Sequence, residues 1–164
     1  MNVVIFGPPG AGKGTQANYI VKRYNLYQIS TGDLLRDEVK NQTDVGKVID
    51  NIISKGDFAT DEIVNDLIKK VIFDPNKKNK LIFDGYPRSL PQAENLDTLL
   101  NESSQKIDFI FFLNVKKENI IKRIEKRKIL ENRADDNLAT ILKRYDTYME
   151  TTKPVLDFYS KKTN

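Results

Sequence analysis

The chain has 164 residues, 39% of them hydrophobic and 30% charged, with a formal net charge of +4 and neither cysteine nor histidine. That length is one domain, large enough to bury a core without staples, and the missing residue types exclude disulfides, thiolate metal sites and a histidine base or ligand. There is no secretory apolar region and no run long enough to span a bilayer, and the lysines are interleaved with acids. These features lead us to expect a cytoplasmic protein with a solvated surface, partnering neither membrane nor nucleic acid.

In chain order, Val3–Phe6 reads as a buried strand and empties into Gly7-Pro8-Pro9-Gly10-Ala11-Gly12-Lys13. A strand, a glycine-rich turn and a lysine in register form the P-loop pattern, in which backbone N–H groups converge on phosphates and the following helix adds its positive end. That helix should run from Lys13 to Tyr24, with a short strand at Tyr27–Ile29. Ser30 then opens a helix, with Asp33 as the partner in a capping box. Val45, Val48, Ile49, Ile52 and Ile53 make an amphipathic helix. Thr60 is placed to cap the next, whose face is Ile63, Val64, Leu67, Ile68 and Val71. Asp74-Pro75-Asn76 is a turn and Leu81–Phe83 a third strand, apolar throughout. A helix opening at Ser89, Pro91 and Gln92 follows. Ile107–Leu113 is the fourth strand, and Asn114 is placed to cap the helix carrying Ile120, Ile121 and Ile124. A long helix from about Asp135 has Leu138, Ile141, Leu142, Tyr145 and Met149 as its core stripe, and Pro154 starts a last one. Strands alternating with helices predict a parallel sheet covered on both faces, with ligand at the carboxyl ends of the strands.

Arginine usage is selective. Of 27 basic residues only seven are arginine, and six of these (Arg36, Arg88, Arg123, Arg127, Arg133 and Arg144) lie in or near motifs, Arg23 being the exception. A chain that uses lysine for bare charge keeps the guanidinium fork for bidentate phosphate binding. Asp84, at the end of an apolar strand, is where P-loop proteins hold magnesium, often through water.

Four blocks in order carry a resemblance: Gly12-Lys13-Gly14-Thr15-Gln16, Ser30-Thr31-Gly32-Asp33-Leu34-Leu35-Arg36, Asp84-Gly85-Tyr86-Pro87-Arg88 and Arg133-Ala134-Asp135-Asp136. Together they resemble the adenylate kinase family of nucleoside monophosphate kinases over residues 1 to about 160. The resemblance implies a three-layer α/β/α P-loop fold over 1–164, with an AMP-binding insertion at 30–59 and a lid at 127–136. It implies Mg-dependent phosphoryl transfer from ATP to AMP, giving two ADP, by a monomer.

By the same resemblance ATP would lie on Gly10, Ala11, Gly12, Lys13, Gly14, Thr15, Arg123 and Arg127. AMP would lie on Thr31, Arg36, Asp57, Phe58, Ala59, Gly85, Arg88, Gln92, Arg133 and Arg144. Magnesium would be held through water by Thr15, Asp33 and Asp84. Lys13, Arg88, Arg123, Arg127, Arg133 and Arg144 would be catalytic. Pro87 resembles a family proline that follows a cis bond. Asp33 and Gln92 equally suit helix caps, and Asp135 and Asp136 suit a helical first turn.

Two departures stand out. Only five residues separate Arg127 from Arg133, so the lid resembles the short type, without its usual glycines, and the absence of Cys and His leaves no zinc knuckle. The family continues into a fifth parallel strand and a helix that this sequence lacks, so we expect a weakened sheet edge and ATP binding impaired more than AMP binding. Alternative readings are a UMP/CMP-type kinase and a nucleotide-binding fragment with impaired catalysis. A GTPase lacks support, since no Asn-Lys-x-Asp motif is present.

Overall fold

The computed structural model describes residues 1–54, 59–131 and 138–162, with the side chains of 53, 54, 125–131 and 138 outside the description. Four strands, β1 (Val3–Phe6), β2 (Tyr27–Ser30), β3 (Leu81–Asp84) and β4 (Phe109–Phe112), form one parallel sheet in the order β2-β3-β1-β4. The eight α-helices among the described residues are α1 (Lys13–Tyr24), α2 (Thr31–Lys40), α3 (Asp44–Ser54), α4 (Asp61–Ile72), α5 (Leu90–Glu102), α6 (Lys117–Glu131), α7 (Leu138–Thr147) and α8 (Lys153–Ser160). The expected α/β layering is present.

Alternation along the strands sorts the core into two layers. Val4, Phe6, Ile29, Leu81 and Phe83 face one side and pack against α4, α5 and α8 through Val64, Ile68, Leu96, Val155 and Tyr159. Val3, Ile5 and Ile82 face the other and meet Ala17 of α1. A separate cluster, Ile120, Ile124 and Ile141, joins α6 to α7. Both central strands are buried along their length, as an apolar run requires. The outer strand β4 is different: Phe109, Phe111 and Phe112 are exposed, and of its residues only Ile110 packs against the main core.

Local expectations fail at three places. Asn114 does not cap α6, which starts at Lys117; the N–H groups of Asn119 and Ile120 donate instead to the carbonyl of Lys116. Thr60 sits at the N-cap of α4 but makes no side-chain cap bond. Met149 is exposed rather than in the core, because Tyr148–Thr152 is a π-helical segment. Its wider turn rotates Tyr148 and Thr152 inward and Met149 outward. Among the described residues no helix is long and apolar enough to cross a membrane.

At the amino ends of the strands a buried polar knot ties the sheet together. Asn2, fully buried, accepts from the Leu81 N–H at 3.2 Å and donates to the Lys106 carbonyl at 3.0 Å and to Gln105 Oε1 at 3.3 Å. Gln105 in turn donates to the Ile72 carbonyl at 3.1 Å and accepts from the Asn79 N–H at 2.7 Å. Replacing Asn2 leaves buried groups unsatisfied, which costs about 1–3 kcal/mol. Asn2→Leu should therefore lower the melting temperature by roughly 2–12 °C for a domain of this size, with substrate affinities of the folded protein unchanged; calorimetry with parallel kinetics checks both halves.

Candidate active site

A cavity of about 970 Å³ opens at the carboxyl ends of the strands. Its floor is the turn from β1 into α1. Gly12 is the N-cap of α1, with φ 93°, and no side chain caps it. This left-handed geometry suits glycine and lets the first N–H groups of α1 face the same hollow. The Ala11 N–H closes the loop on the Pro8 carbonyl at 3.1 Å. Lys13 folds back over it, its Nζ donating to the carbonyls of Gly7 at 2.8 Å and Pro8 at 3.2 Å. Helix dipole, converging N–H groups and ammonium make an anion site.

Four arginines from four separate elements line the same cavity: Arg36 of α2, Arg88 between β3 and α5, Arg123 of α6 and Arg144 of α7. Arg123 donates to the Ala11 carbonyl at 2.9 Å, so α6 reaches onto the loop. Arg36 pairs with Asp33 one turn earlier. Arg88 donates through Nε to the Gly85 carbonyl at 2.6 Å and through a terminal nitrogen to Thr31 Oγ1 at 3.4 Å. Burial first, and then the neighbouring Arg144 and Arg36 charges, pull the Arg88 pKa down to about 10, with Asp84 opposing. It stays cationic at neutral pH, but the shift records positive charge crowded together in a low-dielectric place.

Asp84 ends β3 almost fully buried and accepts from Gln28 Nε2 at 3.1 Å. Desolvation pushes its carboxyl pKa up; the Lys13 and Arg88 charges pull it back. Asp84, Asp33 and Thr15 all line the cavity, supplying hard oxygen donors of the kind magnesium accepts alongside phosphate oxygens.

Of the residues expected from sequence, Gly10, Ala11, Gly12, Lys13, Gly14 and Thr15 line the cavity, as do Asp33, Arg36, Asp84, Gly85, Arg88, Arg123 and Arg144. Thr31, Ala59 and Gln92 are buried and stand outside its lining. Thr31 donates to the Gly85 carbonyl at 2.9 Å. Asp57, Phe58, Arg133, Asp135 and Asp136 and the side chain of Arg127 lie outside the described residues, as do residues 132–136 of the 127–136 lid. The Tyr86–Pro87 bond is cis, as the family resemblance implied. Ser30 does cap α2, its Oγ accepting from the Asp33 N–H at 3.3 Å. Ser89 caps α5 the same way, but Gln92 reaches past it, accepting from the Arg88 N–H at 2.7 Å.

Sequence reasoning missed Gln28 and Thr152, both of which line the cavity. A polar residue inside the short strand β2 was the available signal for Gln28. Thr152 carried none, since it lies in the last quarter of the chain and donates to the Arg88 carbonyl at 2.9 Å from 64 residues away.

Comparison with known proteins finds relatives along nearly the whole chain. The family model described as "Adenylate kinase" matches residues 5–164. The chain is similar to an adenylate kinase of Pelagibacter ubique, 48% identical over 190 aligned positions that cover 100% of this chain and 89% of the relative. It is also similar to one of Parabacteroides distasonis, at 44% over 159 positions (97% and 84%), and to one of Azobacteroides pseudotrichonymphae, at 45% over 166 (99% and 85%).

The anion site itself is testable with a bare ligand. Lys13→Met should weaken inorganic tripolyphosphate binding by about tenfold or more, the worth of one charge-assisted contact, with melting temperature little changed. Titration calorimetry showing undiminished binding would contradict the placement of phosphate on this loop.

Proposed function

The chain belongs to the adenylate kinase family, and from that membership we propose an assignment of its residues to the two nucleotides. The protein is a phosphotransferase of the nucleoside monophosphate kinase class, carrying the terminal phosphoryl group of ATP to AMP and yielding two ADP; its relatives do not favour the UMP/CMP alternative. One observation carries the assignment: four guanidiniums from α2, α6, α7 and the β3–α5 loop share a cavity with the Gly10–Thr15 loop.

In this reading the ATP phosphates sit on the N–H groups of Gly10 to Thr15, with Lys13 turning outward to the β- and γ-oxygens. The AMP phosphate is held by Arg36 and Arg88. Arg123, Arg127, Arg133 and Arg144 surround the moving phosphoryl group, which passes in line between nucleotides with no covalent enzyme intermediate. Their forks match its three equatorial oxygens, and fixed charges in a site shielded from water stabilise charge with little reorganisation. The insertion 30–59, which includes α2 and α3, brings AMP in through Thr31, Asp57, Phe58, Ala59, Gly85 and Gln92. Gln92 has a second lone pair and a second N–H to offer the base. The 127–136 segment closes over the γ-phosphate and keeps water from taking the phosphoryl group.

Thr15, Asp33 and Asp84 would hold magnesium through its water shell, and the ion would neutralise charge on the β- and γ-oxygens when bound. With no Cys or His in the sequence, zinc has no part in this reading.

Arg88→Lys keeps the charge and loses the fork. It should reduce kcat/KM for AMP by about 100-fold while KM for ATP moves by no more than about twofold, since the lost contacts serve one substrate. Steady-state kinetics with each nucleotide varied in turn checks this; wild-type AMP kinetics would show the fork to be dispensable. In a panel of monophosphates with ATP, AMP should turn over fastest, and faster use of CMP or UMP would overturn the AMP assignment.

A further inference from the structure

Arg88 is gripped by its main chain as well as by its guanidinium. Its N–H donates to Gln92 Oε1 at 2.7 Å and its carbonyl accepts from Thr152 Oγ1 at 2.9 Å. Gln92 is only 5% exposed, and the other end of its amide donates to Asp61 Oδ1 at 2.6 Å. The second oxygen of Asp61 accepts from Ser89 Oγ at 3.3 Å. A backbone N–H only donates and a carboxylate only accepts, so these two neighbours leave the Gln92 amide a single orientation. Asp61 is the first residue of α4, the helix that follows the 30–59 insertion. A second tie joins the same two helices: Tyr86 donates to Asn65 of α4 at 2.7 Å and accepts from Asn95 of α5 at 3.1 Å.

We propose that Asp61 is a positioning residue for the acceptor nucleotide: it fixes the Gln92 amide, which fixes the Arg88 N–H, so that the Arg88 fork meets the monophosphate in one pose. The inference rests on the reading of Arg88 as the monophosphate clamp. Asp61 stands apart from the cavity and acts through two intermediaries. Its carboxylate makes a short charge-assisted bond to a buried amide, which is the stronger kind of hydrogen bond. Without that acceptor, a desolvated N–H must find another, and the amide turns or shifts away from Arg88. Displacements of an ångström at a positioned group cost as much as about 100-fold in rate.

The test uses the full chain and reads both substrates. Asp61→Leu keeps the approximate shape and removes the acceptor; KM for AMP should rise about tenfold, with KM for ATP within about twofold of wild type. Asp61→Asn still offers a carbonyl oxygen, uncharged, and should rise only about threefold, so it carries the test if the leucine variant does not fold. Adding Gln92→Leu to Asp61→Leu should cost no more than the worse single change, because both break one chain of contacts.

An unchanged KM for AMP in a folded Asp61 variant, with Arg88→Lys raising it, would overturn the relay and leave the clamp standing. Additive effects in the double variant, or equal rises for both nucleotides, would also overturn it. If Arg88→Lys itself leaves AMP use unaltered, the clamp reading fails and the relay falls with it.

Discussion

Positive charge crowded into one place is the constraint on which the rest of the molecule depends. Lys13, Arg36, Arg88, Arg123 and Arg144 share a cavity with a helix N-terminus. Two unit charges about 4 Å apart repel by roughly 4 kcal/mol at the effective dielectric near a protein surface. The fold answers this by tying the cations to acceptors of its own. Asp33 holds Arg36, the Gly85 carbonyl holds Arg88, the Ala11 carbonyl holds Arg123, and the loop carbonyls of Gly7 and Pro8 hold Lys13. The Arg36–Asp33 pair is charge-assisted, and the other ties use backbone carbonyls, so the guanidiniums and the ammonium are held in place by the protein's own groups.

The sheet makes this arrangement possible by dividing its two ends. The amino ends of β1 and β3 are fastened by Asn2 and Gln105, whose amides join the sheet to the end of α4 and to the stretch before β4. The carboxyl ends release four loops toward the cavity, and none of its five cations, Lys13, Arg36, Arg88, Arg123 and Arg144, lies within a strand. Rigid strands set where the loops begin, and helices packed on alternate faces set where the arginines arrive.

Much of this was legible in the sequence because it is local. The bounds of α1 follow from the turn at Gly12 and the left-handed C-cap at Asn25. The arginines stood out because lysine replaces them wherever bare charge suffices. Arg23, the exception, falls in the last turn of α1, where a cation favours the helix dipole. Long-range pairings were not legible. Nothing near Asp61 announces an amide 31 residues away, or near Thr152 a carbonyl 64 residues back. Met149 was misplaced because a π-helical segment breaks the 3.6-residue period on which the stripe was drawn, and the exposure of β4 was not legible because an apolar run does not reveal whether its faces are covered.

The uncapped start of α1 has one further consequence. Most helices carry their own terminal partner in a Ser, Thr, Asp or Asn; here the place is Gly12, and its side-chain contribution is nil. A nucleotide phosphate seated as proposed would double as a structural component, completing a helix end that no side chain caps. Whatever binds there also shifts the folding equilibrium, by RT ln(1 + [L]/Kd) for a single ligand. On the proposed placement, the persistence of the folded form would be indexed to the nucleotide supply around it, so that scarcity of substrate and fragility of the fold would arrive together.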